Sequence, residues 1–426
     1  MKKTHRYTFA VVLITSLFFL WGFAHNLNPI LIPHLKKACQ LTDMQSAFID
    51  SSFFIAYFLV ALPAGIFMKR FGYKSGICLG LVLFAAGAFL FYPAASVREF
   101  GFFLFALFVI ASGLTFLETA ANPYINALGD PAKSAQRLNF AQSFNGLAAT
   151  LAPLFGRTFI LSGNNLSQQT KAGMSPAELS GFLDKEASSV QIPYLIIGLV
   201  VLLFAFVIWR TSLPEIVEDT ADHGEPNSRA SIWKEKNLVG GVLAQFFYVG
   251  AQVCVGSFFI RYCGFVASMD EKMAALYLSS ALLGFMVGRF FGTFLMKYVA
   301  PSTLLFLYSV VNMLLLIVVI MYGKMMGVYC LIGVEFFMSI MFPTIFSLGL
   351  EGLGKRTKQG SSLLIMSIVG GALIPLVMGR VSDASKSIQV AYLVPAFCFI
   401  PVALFATGFA YRHRKHTTRL KVQLTH

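Results

Sequence analysis

The sequence predicts an all-α membrane protein with twelve transmembrane helices in two pseudo-symmetric halves of six helices. Three observations predict this class: the 426-residue chain is 57% apolar, only 12% of its residues are charged, and long apolar segments recur along it. A soluble chain carries about 25% charged residues, and a helix needs about 20 apolar residues to cross a bilayer. A β-barrel would show alternation over strands of about 10 residues, and the segments lack this pattern.

The twelve apolar segments are spaced along the whole chain. Their approximate limits are 8–33, 46–68, 75–95, 101–128, 138–162, 191–210, 238–262, 273–298, 302–323, 326–350, 359–382 and 389–411. The basic start Met1–Arg6 resembles that of a signal peptide. The apolar run behind it is too long for one and has no small-residue cleavage site, so we expect it to be retained as the first span.

The net charge of +14 is distributed as in a membrane protein, which argues against nucleic-acid binding. With both termini in the cytoplasm, 21 of the 33 Lys and Arg residues lie in inside segments, 11 lie in outside loops, and Arg289 lies within a span. This bias follows the positive-inside rule. We therefore expect a multi-pass protein of the bacterial inner membrane whose basic tail contacts anionic lipid.

The polar stretch between the sixth and seventh spans divides the chain near its middle. The predicted domains are the six-helix halves 1–211 and 238–412, the cytoplasmic linker 212–237 and the basic tail 413–426. The halves also resemble each other: Asn122–Gly129 is similar to Phe342–Gly349, and similar motifs recur at offsets of 220 to 227 residues. Repeated halves of this kind build secondary transporters around a midplane site.

The loop after the second span carries a family signature. Its residues Gly65, Arg70, Gly72 and Lys74 match the cytoplasmic loop of the major facilitator superfamily. Together with the repeat and the twelve spans, this match predicts the major facilitator superfamily fold.

A few polar side chains lie where lipid should exclude them. Glu118 is about 22 Å along the fourth span, and an intramembrane carboxylate is functional by default because a charge there is costly. Amides lie on the same and neighbouring spans: Asn26, Asn122, Gln142 and Asn145. Amides and carboxylates bind adjacent hydroxyls, as a sugar site requires, while Phe116, Phe144 and Tyr248 are candidates to cover a sugar ring. The alternative is that these amides only join helices.

The remaining chemistry-bearing residues favour structure over catalysis. Arg289 and Glu335, on the eighth and tenth spans, suggest an interhelical ion pair. The six cysteines are scattered without a CxxC pair, which predicts neither a metal site nor a disulfide framework. The sequence contains no nucleophile elbow, Walker motif or zinc-spaced histidine pair, so we expect no enzymatic activity.

Long motifs resemble the fucose–proton symporter family, which also holds glucose/galactose transporters. They are Trp21–Asn28, Leu117–Pro123, Leu138–Asn145, Leu243–Gln252 and Phe342–Gly349. The resemblance implies that Glu118 is the family's intramembrane glutamate, that Gln142 and Asn145 are its sugar-contacting amides, and that Asn26 is its first-helix asparagine. Gln245, Tyr248 and Gln252 lie within the matched motif of the seventh span and join the predicted substrate site.

One departure from the family concerns ion coupling. Fucose symporters place an aspartate directly after Leu-Asn of the first helix, where this chain has Pro29. Asp50 stands where those symporters have an uncharged residue and is a candidate for the missing carboxylate. Together with Glu118 and the hydroxyl of Ser51, it suggests a sodium site of oxygen ligands.

The resemblance and the polar residues together predict an ion-coupled secondary transporter that imports a monosaccharide by alternating access. The substrate would be a hexose such as glucose or galactose, or fucose, and the coupling ion sodium or a proton. We expect no bound cofactor and a monomer in contact with lipid. The alternatives are a drug or sugar exporter working as a proton antiporter, and a membrane sugar sensor that moves nothing.

Overall fold

A computed structural model describes residues 2–41, 43–160, 174–211, 213, 232–269 and 271–423, and its regular structure over these residues is entirely helical. Nine helices in this part are long and apolar enough to cross a membrane, and Val11–His25 forms a shorter apolar stretch. The helix Ser134–Phe159, which covers the fifth predicted span, is not among the nine. This helix carries Gln142 and Asn145. These polar residues lower its mean hydropathy, and they are also candidates for the substrate site.

Among the described residues, the first half of the chain contains seven α-helices. They are α1 (Lys2–His25), α2 (Asn28–Ala38), α3 (Asp43–Val97), α4 (Phe100–Ala127), α5 (Ser134–Phe159), α6 (Pro176–Ser188) and α7 (Gln191–Arg210). The described residues of the second half contain nine more. They are α8 (Lys236–Ala267), α9 (Glu271–Leu295), α10 (Pro301–Tyr322), α11 (Lys324–Met338), α12 (Met341–Leu350), α13 (Thr357–Met366), α14 (Gly370–Ser385), α15 (Ile388–Ala391) and α16 (Leu393–Gln423).

Several helix breaks differ from the predicted spans, and proline explains two of them. The first span is divided into α1 and α2 around Asn26 and Leu27. Pro29 has no N–H to donate to the carbonyl of His25 four residues earlier, which favours a break at this point, and it lies in the first turn of α2, where no intrahelical donor is needed. The tenth span is divided in the same way into α11 and α12, shortly before Pro343.

The second and third predicted spans appear as one long helix, α3, with a non-helical residue inside it. Gly72 has φ 84° and ψ 168°, a backbone conformation that residues with a side chain rarely adopt. Gly72 therefore separates α3 into two helical segments at the loop that carries the family signature.

The chain forms two compact units. One comprises Met1–Asn122 and Leu147–Glu215, and the other comprises Pro123–Gly146 and Ile216–His426. The predicted boundaries of the two halves, the linker and the tail remain predictions.

Within the first unit, α4 packs closely on the later segment of α3. A Cβ atom on Gly113 would lie 2.5 Å from the carbonyl oxygen of Gly80, and one on Gly87 would lie 2.6 Å from the amide nitrogen of Ile110. Small residues allow membrane helices to approach this closely. The resulting van der Waals contact stabilises the helix pair, because the hydrophobic effect does not drive helices together in lipid. This contact fixes α4, and with it the position of Glu118.

Within the second unit, α11 is surrounded by three helices. A Cβ atom on Gly288 of α9 would lie 2.5 Å from the Phe336 carbonyl oxygen, and the rings of Tyr308 of α10 and Phe337 meet edge to face at 4.9 Å. The hydroxyl of Tyr262 on α8 meets α11 at Gly327. Polar side chains of α11 that point towards these neighbours are therefore enclosed by protein.

Other helices expose large apolar side chains. Leu203 of α7, Leu314 of α10 and Leu404 of α16 are each 58–66% exposed. Exposed apolar side chains of this kind suit contact with lipid tails rather than water.

Candidate substrate and ion site

Glu118 lies on α4 and faces α3, as its position in the fourth span predicts. Its side chain is 9% exposed, and the hydroxyl of Tyr57, itself 4% exposed, donates a hydrogen bond of 2.5 Å to its Oε1. The pair joins two spans that are separated by 61 positions in the chain. A buried carboxylate thus receives one strong donor on one oxygen, which leaves Oε2 able to carry a proton or to meet a ligand.

Sequence reasoning did not single out Tyr57. A tyrosine in an apolar segment resembles an ordinary core aromatic residue. Its spacing from another polar residue is the sequence signal that could set it apart. Tyr57 follows Asp50, a predicted ion ligand, by seven residues, which is about two helical turns.

The other polar residues of α4 differ in their hydrogen bonding. The hydroxyls of Thr115 and Thr119 donate to the carbonyls of Ala111 and Thr115, at 2.8 and 2.6 Å. Such back-bonding to the preceding turn satisfies a hydroxyl within its own helix. Asn122 lies one turn beyond Glu118 and is fully buried, so α4 presents a carboxylate and an amide on one face.

Asn26 lies at the break between α1 and α2. Its side-chain amide donates to the carbonyl of Gly22 at 2.7 Å, and the residue is half-buried. This bond orients the side chain at the point where the helix is interrupted.

The predicted sodium ligands Asp50 and Ser51 lie outside the residues whose side chains the structure describes. The sodium site therefore remains a prediction.

In the second unit, α5 carries the predicted sugar amides Gln142 and Asn145. Gln142 is buried and Asn145 is half-buried, and their spacing of three residues places them on one helix face. The aromatic ring of Phe144 meets Phe140 edge to face at 5.5 Å, while in the first unit Phe116 meets Phe67 in the same way at 5.8 Å.

The seventh-span candidates lie on α8 and are enclosed to different degrees. Gln252 is half-buried, whereas Gln245 is fully buried and neither atom of its amide has a hydrogen-bond partner among the described residues. Tyr248 is also fully buried, and its hydroxyl donates to the carbonyl of Met338 at 3.0 Å. Tyr248 thus stabilises the end of α11, and its contact with a sugar remains a prediction.

Arg289 does not pair with Glu335, and the prediction of an ion pair between them is wrong. Its Nε donates to the carbonyl of Ser339 at 2.8 Å and its Nη1 to the carbonyl of Gln142 at 2.7 Å. In an unbroken helix the Ser339 carbonyl would accept from residue 343, but Pro343 has no N–H. The guanidinium supplies this missing donor and ties the break between α11 and α12 to the helix that carries Gln142.

Comparison with known proteins agrees with this architecture. Residues 12–375 match the model of the Major Facilitator Superfamily, and the chain belongs to that family of multi-pass membrane transporters. Within it, the chain falls in the group of the L-fucose–proton symporter and the glucose/galactose transporters. It is 42% identical to the L-fucose-proton symporter of Escherichia coli (strain K12) over 410 residues, 95% of this chain and 94% of the relative.

Two further matches support the same group. The chain is 41% identical to the glucose/galactose transporter of Brucella abortus biovar 1 (strain 9-941), over 94% of this chain and 93% of the relative. The crystal structure of the transporter FucP in the outward conformation matches with a TM-score of 0.87 and 42% identity, over 94% of this chain and 99% of that one. The predicted fold class and family are thereby confirmed, and these relatives are transporters rather than enzymes.

Replacing Arg289 tests its role at the helix break. Arg289→Lys keeps the charge, but a single ammonium lacks the guanidinium's fork of donors and cannot serve both carbonyls. Each lost bond from a charged donor costs about 1.5–3 kcal/mol. We expect a lower Tm of the purified protein in detergent, measured by intrinsic fluorescence.

Arg261→Lys is the matched control, because Arg261 is exposed and its guanidinium lies over the Phe258 ring. An equal change in Tm for the two variants would contradict the role given to Arg289.

Proposed function

We propose that this chain imports a monosaccharide across the bacterial inner membrane by symport with protons. The observation that carries the proposal is the buried Glu118 carboxylate bonded by Tyr57, in a chain 42% identical to a protein named L-fucose-proton symporter. The proposal includes two transport halves, 1–211 and 238–412, joined by the linker 212–237. It also includes cytoplasmic termini, a monomeric state and a lipid-binding tail, 413–426.

Glu118 has the properties that proton coupling requires. An ionised carboxylate within the membrane costs several kcal/mol, whereas the protonated acid is neutral. Tyr57 donates to Oε1, so the proton is carried on Oε2. When Glu118 is protonated and neutral, the sugar-bound transporter can close on both sides of the membrane without burying a charge. Release of the proton on the cytoplasmic side then returns Glu118 to its charged form.

The amides supply the sugar-binding groups of the proposal. A carboxamide both donates and accepts, so it pairs with a hydroxyl in either direction. The proposed substrate residues are Asn26, Glu118, Asn122, Gln142, Asn145, Gln245, Tyr248 and Gln252. The names of the relatives point to L-fucose, glucose and galactose as the first compounds to test.

The first test replaces the proposed proton carrier. Glu118→Gln keeps the shape of the side chain and removes its titration. In proteoliposomes with an imposed inward proton gradient and sodium-free buffer, we expect the parent to accumulate labelled sugar and the variant to reach only the equilibrium level.

Glu99→Gln is the matched control, since Glu99 is an exposed residue directly before α4 and undergoes the same chemical change. Accumulation by Glu118→Gln equal to that of the parent would remove Glu118 from the mechanism. Accumulation by the parent only when a sodium gradient replaces the proton gradient would transfer the coupling to sodium.

The second test addresses sugar recognition. Gln142→Ala and Asn145→Ala each leave ligand hydroxyls unpaired at about 1–3 kcal/mol, which corresponds to roughly 5- to 150-fold in affinity. Equilibrium binding of the labelled sugar found active in a panel of hexoses, deoxyhexoses and amino sugars measures this loss.

Gln136→Ala serves as the control on the same helix, because the Gln136 amide donates to the Thr293 carbonyl and has no place in the proposed site. If both Gln142→Ala and Asn145→Ala bind the sugar as the parent does, these amides join helices rather than bind substrate.

A further inference from the structure

The second unit contains a buried carboxylate to which the proposed mechanism gives no role. Glu335 lies on α11 within a candidate membrane span, and its side chain is 3% exposed. It makes no hydrogen bond or ion pair with the part of the chain that the structure describes. Such a residue is costly as an anion inside a membrane, so structure alone does not explain its presence.

The neighbours of Glu335 do not neutralise it. Among the described residues, titratable and charged side chains near this part of α11 are Tyr248 of α8, Arg289 of α9, Tyr308 of α10 and Tyr392 before α16. Arg289 is the permanently charged residue among these neighbours, and its guanidinium donates hydrogen bonds to the carbonyls of Ser339 and Gln142. Within the part of the chain that the structure describes, Glu335 therefore has no counter-ion that would hold it ionised.

The carboxylate of Glu335 faces a specific stretch of α8. A Cβ atom on Gly256 would lie 4.0 Å from Glu335 Oε1, so this oxygen points at the α8 backbone across a position that has no side chain. Gln252 and Tyr248 lie one and two turns before Gly256 on the same face of α8. Glu335 thus adjoins the helix face that carries two of the proposed substrate residues.

We propose that Glu335 is a second proton-binding carboxylate of the transport cycle, placed in the second unit and acting with Glu118. This inference rests on the proposed proton symport. The step is a simple protonation: the Glu335 carboxylate takes one proton from water on the outer side as the substrate enters, becomes a neutral acid, and returns the proton to water on the inner side. No other bond forms or breaks.

The inference predicts the number of protons that move with each sugar. When the membrane potential is clamped at zero, each coupled proton multiplies the accumulation ratio by the imposed proton ratio. For a gradient of one pH unit this factor is about tenfold, since a tenfold ratio corresponds to about 1.4 kcal/mol. Glu335→Gln should therefore lower the accumulation ratio about tenfold and leave sugar exchange without a gradient intact.

Two variants complete the experiment. Glu335→Asp keeps a carboxylate and should restore most of the accumulation. Asn312→Leu is the matched control: Asn312 of α10 is fully buried, and neither atom of its amide has a partner among the described residues. It should keep the parental accumulation ratio.

Three results would overturn the inference. One is an accumulation ratio for Glu335→Gln equal to that of the parent, and another is an equal loss in Asn312→Leu. The third is loss of sugar exchange in both Glu335→Gln and Glu335→Asp, while both proteins elute as folded monodisperse species. That result would assign Glu335 to structure or to sugar binding. A parent that exchanges sugar but never accumulates it on a proton gradient would instead refute the proposed function.

Discussion

Polar groups within a bilayer must be satisfied by the protein itself, because lipid offers no hydrogen bonds. Several unusual features of this chain respond to that constraint. The break before Pro343 leaves carbonyls without helical donors, and Arg289 and Tyr248 supply donors to those of Ser339 and Met338. The Glu118 carboxylate receives its donor from Tyr57. Side chains from other helices therefore supply donors both to the break between α11 and α12 and to the Glu118 carboxylate.

The same constraint explains what the sequence predicted well. An apolar run of sufficient length has few alternatives to a membrane helix, so the spans were predictable from composition and length. Glu118 was predictable because a carboxylate is conspicuous in such a run. The amides Asn26, Asn122, Gln142 and Asn145 were visible as polar residues within spans, and resemblance to a family supplied their roles, because composition alone does not distinguish substrate-binding amides from residues that join helices.

The errors concern partners rather than elements. Opposite charges suggested a pair between Arg289 and Glu335, whereas the guanidinium bonds to two backbone carbonyls. Every residue has a carbonyl, so the sequence contains no signal for which one will lack a donor unless a proline follows four residues later. The Pro343 signal was present, and reading it would have indicated that Ser339 needs an external donor. Tyr57 was not predicted because its partner, Glu118, lies 61 positions away on another span. The sequence does not show which residues of two spans meet.

The central claim is that sugar entry moves protons through groups such as Glu118. The most direct measurement records the pH of a weakly buffered medium outside proteoliposomes that contain the purified protein and have no imposed gradient. Addition of a transported sugar should make the medium transiently more alkaline, and a protonophore should abolish this change. Entry of labelled sugar into the proteoliposomes without any alkalinisation of the sodium-free medium would contradict the account.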